Sequence, residues 1–148
     1  MIKKRVLWTA VTLLYVAFIF HNSMTPAAES SRQSGRVLVM ALELADRVGL
    51  GGQWITEHLI RKAAHFAEYA LLGILLYGTV TQYSLRAQMR RVLQCWLGMA
   101  IPFADETIQL FVEGRSGQLG DVWLDMSGIL AGFLFVKLMS GLRGTGRR

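Results

Sequence analysis

The chain reads as an all-α polytopic membrane protein, a bundle of four transmembrane helices with a short amphipathic helix in its first outer loop. Three observations predict this. Hydrophobic residues make up 53% of the 148 and charged residues only 18%, a more apolar balance than most soluble domains of this length show. Four apolar runs, Val6 to Phe20, Ala63 to Thr81, Val92 to Val112 and Val122 to Ser140, stand near the roughly 20 residues that a bilayer core requires, the first of them short. The basic residues are distributed between alternate connecting segments, as membrane orientation demands. One domain over 1–148 follows, with spans at about 6–24, 63–81, 92–112 and 122–140 and an outer loop at 25–62.

The first span follows Lys3, Lys4 and Arg5, a pattern shared with signal peptides, and Ala27-Ala28 resembles a cleavage region. We read it as an uncleaved anchor, because Phe20 to Met24 lengthens it and leaves polar flanks at the headgroups. Cleavage would leave three spans. In the outer loop, Val37, Ala41, Leu44 and Val48 recur at helical spacing behind Ser30, Ser31 and Ser34, and Gly49, Gly51 and Gly52 end the pattern. Such a helix lies on the membrane surface or caps the bundle. In the third span Pro102 frees the carbonyl of Gly98, which predicts a kink. Cys95 has no second cysteine to pair with and is expected to pack. In the fourth span Gly128 and Gly132 continue the line of Asp121 and Asp125. This small-residue stripe allows close approach of a helix from the same bundle or from another subunit.

Charge sets the orientation. With the amino terminus inside, the cytoplasmic segments hold Lys3, Lys4, Arg5, Arg86, Arg90, Arg91, Lys137, Arg143, Arg147 and Arg148 and no acidic residue. Arg32, Arg36, Arg47, Arg61, Lys62 and Arg115 share the outer segments with all ten acids. Both termini are therefore expected in the cytoplasm. Trp8 and Trp96 fall near inner span ends and Trp123 near an outer one, where indoles favour the headgroup region. The net charge of +6 is thereby accounted for at a membrane face, and no nucleic-acid partner is expected. The same bias argues against a soluble four-helix domain.

Polar residues interrupt the spans at one level. Lys62, His65 and either Glu68 or Tyr69 share a face of the second span, and Asp105, Glu106 and Gln109 occupy about a quadrant of the third. Asp121 and Asp125 open the fourth. At the helical rise, His65 and Glu68 lie roughly 3 to 8 Å below their span end, Asp105, Glu106 and Gln109 roughly 5 to 10 Å, and Asp125 about 5 Å. That level is the outer leaflet. Ionisable groups there are costly and mark a site or a pathway. Glu68, Asp105, Glu106, Asp121 and Asp125 face only Lys62, Arg115 and a titratable His65, so simple interhelical pairing leaves carboxylates over. Those must be protonated, hold a cation or serve as acids and bases. The competing reading makes the whole set structural, pairs that lock helices together.

Lys62-x-x-His65-Phe66-x-Glu68-Tyr69 with Gly73, then Asp105-Glu106-x-x-Gln109, Gly114-Arg115 and Asp121 before a Gly-rich last helix, resembles the VanZ-like family. The first loop fits too, with His21-Asn22-Ser23-Met24-Thr25-Pro26 and then Ser30 and Ser31. Asp125 departs from the resemblance, because the family often has Asn there. The resemblance implies a membrane protein of the bacterial cell envelope, in the plasma membrane; the name-giving member is associated with low-level resistance to the glycopeptide teicoplanin. It implies no reaction.

Two functions share the cluster. An intramembrane enzyme acting on a lipid-linked envelope intermediate would use His65 with Glu68 as an acid–base pair, and Asp105 with Glu106 to activate a nucleophile or hold a divalent cation. Lys62 and Arg115 would hold phosphate or another anion, and Tyr69, Gln109, Asp121 and Asp125 would complete the binding site. A binding or accessory protein would use the same residues without turnover, with membrane lipids and the envelope intermediate as partners. A transporter subunit is least favoured, because Leu72 to Thr81 and Val92 to Met99 carry no polar trail inward. No nucleophile elbow, phosphate-cradling glycine loop or zinc motif assigns the chemistry.

Overall fold

The computed structural model describes residues 2–145, with side chains to residue 142. The side chain of Arg143, and Arg147 and Arg148 entirely, which the sequence assigns to the cytoplasm, lie outside the described residues. The described residues form five α-helices and no strand: α1 Ile2–Ser23, α2 Ala27–Arg47, α3 Glu57–Thr81, α4 Ala87–Gln109 and α5 Leu119–Thr145. Of these, α1, α3 and α5 are long and apolar enough to cross a membrane. Only 17 to 28% of the residues in their most apolar stretches are buried within the protein. Leu7, Leu13, Leu14, Leu71, Leu130 and Leu134 point outward instead, a surface suited to lipid rather than to water.

The helix ends differ from the apolar runs for local reasons. Residues 57–62, assigned to the loop, belong to α3, whose start is fixed by the Thr56 hydroxyl accepting a hydrogen bond from the Leu59 amide (3.2 Å) with Glu57 in the first turn. Both features stabilise a helix amino terminus whatever the hydropathy. The helix expected to be short in the first connection is α2, 21 residues long. Gly49 and Gly51 follow it with φ of 70° and 57°, where a side chain would be strained. Val37, Met40 and Leu44 remain exposed on it, and among the helices α2 packs against α3 alone. Pro102 is buried within α4.

The most extensive helix contact joins α3 to α5, which run parallel. It rests on three glycines. A Cβ at Gly132 would strike the carbonyl oxygen of Ala70, one at Gly128 would lie 2.6 Å from the carbonyl oxygen of Phe66, and one at Gly73 would strike the carbonyl oxygen of Ile129. The stripe read from the sequence therefore serves contact within the chain. Alongside it, Tyr69, Leu72 and Leu76 of α3 and Ile129 of α5 join Ile19 of α1 in the core. Farther along, α1 is tied to α3 by the Thr12–Thr79 hydroxyl pair (2.7 Å) and the Thr79 hydroxyl donating to the Trp8 carbonyl (3.1 Å).

Gly132→Val should lower the thermal midpoint of the detergent-purified protein, the overpacking costing about 1–3 kcal/mol or more. Gly35→Ala, on α2 with nothing near its Cβ position, should leave the midpoint unchanged or raise it, by about 0.5–1 kcal/mol of helix propensity. Equal effects would show that the α3–α5 contact is loose.

Candidate functional site

The carboxyl ends of α1 and α4 and the amino ends of α3 and α5 meet at one end of the bundle, and the site residues singled out in the sequence lie there, Tyr69 deepest, in the core. The glycine-mediated approach of α3 and α5 continues upward as a ladder of polar pairs. Lys62 Nζ lies 2.6 Å from Asp121 Oδ1, both partly exposed. One turn deeper, His65 Nδ1 is 3.7 Å from Asp125 Oδ1. The exposed pair contributes little to stability, on the order of 0–1 kcal/mol. The deeper contact matters more, since Asp125 is wholly buried.

On α4, Asp105, Glu106 and Gln109 are all buried, but the two acids separate. Glu106 Oε1 accepts from Gln109 Nε2 (2.9 Å) and its Oε2 accepts from the Gln118 amide (2.9 Å). One oxygen is thus spent within α4 and the other on the segment that turns back over its end. The turn uses Gly114 at φ 71°, and Gly117, where a Cβ would lie 2.5 Å from the Glu106 carbonyl oxygen. Arg115 from the same segment donates to the Thr25 carbonyl (3.1 Å) and to Gln109 Oε1 (3.5 Å).

Asp105 turns instead toward His65 and Asp125. One donor atom from each of these three residues lies within 4.8 Å of the other two. Ser23 and Tyr69 border Asp105, and Gln109 Nε2 donates to its Oδ2 (3.3 Å). By strict hydrogen-bond geometry, His65 Nδ1, the Tyr69 hydroxyl, Asp105 Oδ1 and both oxygens of Asp125 have no partner. The sequence paired Asp105 with Glu106 and His65 with Glu68; the structure groups His65, Asp105 and Asp125 from three helices.

Above this group opens a cavity of about 560 Å³ between the end of α1, α2 and α3, lined by Asn22, Ser23, Thr25, Arg61, His65, Glu68 and Arg115 among others. A smaller one, about 120 Å³, adjoins it on the far side of His65 and is lined by Lys62, Gln109, Arg115, Gln118 and Asp121. Arg61, His65 and Arg115 border both. In the larger cavity Glu68 Oε1 accepts from Asn22 Nδ2 (2.9 Å). Burial, and then the neighbouring Arg61 guanidinium, push Arg115 down from its usual value, a position that an anion would relieve. Tyr69, read as ligand-binding, borders neither cavity; it is fully buried in the core beneath. Sequence reasoning missed Asn22, Ser23 and Arg61 as cavity residues. The run His21-Asn22-Ser23 gave a signal for the first two.

Glu106→Ala should release the segment after α4, because the Gln118 amide loses its part-buried carboxylate acceptor, at about 1 kcal/mol. Trypsin should then cut after Arg115 faster than in the wild type, while Glu106→Gln, which keeps one oxygen, should be cut at an intermediate rate.

The chain was compared with curated proteins and with solved structures, and no match was found in either. A family model described as VanZ/LLP1 matches residues 8–140, nearly the whole length and all the helices that build this site. The chain belongs to the VanZ/LLP1 family.

Proposed function

We propose that this VanZ/LLP1-family protein crosses the plasma membrane of a bacterium four times with both termini in the cytoplasm, and that its cavity receives the anionic headgroup of a lipid-linked envelope ligand in the outer leaflet. The observation that carries this is the pair of guanidiniums, Arg61 and Arg115, on one cavity whose other polar lining is hydroxyl, amide and imidazole, with the Glu68 carboxylate held by Asn22. Two cations close enough to disfavour each other favour a shared anion, and guanidinium forks suit phosphate or carboxylate.

Four crossings are supported by where α4 keeps its charges. Its 23 residues reach about 35 Å. Asp105, Glu106 and Gln109 are turned inward, and Trp96, Met99 and Phe103 face out. Its formal polarity is thus hidden from lipid. Orientation is supported by the opposite end, where Arg5 donates to the Gln82 carbonyl (2.7 Å) and Lys4, Arg5 and Arg90 line one cleft. Lys3, Lys4, Arg5, Arg86, Arg90 and Arg91 then gather on the cytoplasmic side.

Binding of a polyprenyl phosphate to the full-length protein in nanodiscs tests the reading. Arg61→Gln and Arg115→Gln should each weaken it by about tenfold, equivalent to roughly 1.4 kcal/mol. In cells, His65→Ala and Asp105→Asn at matched membrane levels should match the null strain in teicoplanin and envelope-stress sensitivity. Unsaturable binding, or arginine variants that bind like wild type, would overturn it.

A further inference from the structure

We infer that His65, Asp105 and Asp125 form a binding site for one divalent transition-metal ion at the floor of the two cavities. The donors come from α3, α4 and α5, one atom each, mutually within 4.8 Å. An ion between them would sit no farther than about 2.8 Å from any donor. Small side-chain adjustments close that to the roughly 2.0–2.2 Å of zinc bonds to nitrogen and carboxylate oxygen.

A second observation, independent of the clustering, points the same way. Asp105 and Asp125 are both 0% exposed, yet Asp105 Oδ1, both oxygens of Asp125 and His65 Nδ1 find no hydrogen-bond partner. Buried carboxylate oxygens left in that state are unfavourable. The neighbouring protein cations are committed elsewhere: Lys62 to Asp121, Arg61 to Glu57, and Arg115 to Thr25 and Gln109. A divalent ion would neutralise two carboxylates at once and give one unpartnered atom of each of the three residues a partner.

The donor set selects the ion class. Imidazole with carboxylate oxygen suits zinc, manganese and iron, whereas magnesium and calcium favour oxygen donors alone. Three protein ligands leave a coordination position free, as in zinc sites that act on a substrate. His65 is the ligand that borders both cavities, so that position lies on the cavity side. Metal binding here is independent of the lipid reading above and is measured without any lipid ligand, so each can fail alone.

The experiment is a Zn²⁺ titration of chelator-stripped, full-length protein in detergent, followed by metal content and thermal midpoint. Wild type should hold about one ion per chain, undisturbed by excess Mg²⁺, and its midpoint should rise with zinc. Asp125→Asn and His65→Gln should lose at least roughly tenfold in affinity, since even the outer partners of metal ligands are worth that much, and should lose the zinc-dependent rise. Glu68→Gln, beside the site but outside the triad, should keep both. Asp125→Asn removes one of two carboxylates buried side by side and should fold without metal at least as stably as wild type. The Co²⁺ form of the wild type gives a readout that needs no variant: absorption bands of a nitrogen- and oxygen-ligated ion are expected. An aqueous cobalt spectrum, no stoichiometric zinc uptake, or triad variants that bind like wild type would overturn the site.

Discussion

The approach of α3 and α5 governs the rest of this structure. Gly73, Gly128 and Gly132 bring the two backbones within reach of each other's carbonyls, closer than any larger side chain would permit. In lipid the apolar effect gives helices little reason to associate, so dense packing and polar contacts between helices must supply it. Because the two helices run parallel in tight contact, their register is set, and the register fixes which polar groups face each other. Lys62 meets Asp121 and His65 meets Asp125 for that reason. Shifting α5 by one residue would rotate Asp125 about 100° away from α3.

The remaining helices complete an end built of polar groups above the apolar core. α4 contributes Asp105 to the group on α3 and α5, and spends Glu106 on holding the segment that carries Arg115. α1 contributes Asn22 and Ser23, and its Tyr15 hydroxyl donates to the Glu68 carbonyl (3.2 Å). α2 roofs the larger cavity with Ser30, Gln33 and Ser34. The polar groups thus form two layers. An upper one of Arg61, Arg115, Asn22 and Glu68 borders open space, and a lower one of Asp105 and Asp125 is sealed from it, with His65 linking the two. Charge placed in this order suits recognition of an anion above and of a cation below.

Much of this was legible in the residues because a membrane imposes strong rules on composition. Apolar length located α1, α3 and α5, and the cost of ionisable groups in lipid pointed to Lys62, His65, Glu68, Asp105, Glu106, Asp121 and Asp125. The helix starts were less legible where capping rather than hydropathy decides them, as at Thr56 and Glu57. Tyr69 shares a helical face with Lys62 and His65 but borders Asp105 from below rather than either cavity. Neighbours on one face can differ by a full turn in depth, and that turn carries Tyr69 into the core.

By itself, the sequence determined the helical class, the set of polar residues and the small-residue stripe, since each depends on residue type and spacing along one helix. Only the tertiary structure decided that the stripe joins α3 to α5, that Glu106 serves a loop, and that Asp105 belongs with His65 and Asp125. Periodicity fixes which side of a helix a residue occupies. Which neighbour that side meets, and at what height, is set by interhelical packing, and no single helix encodes it.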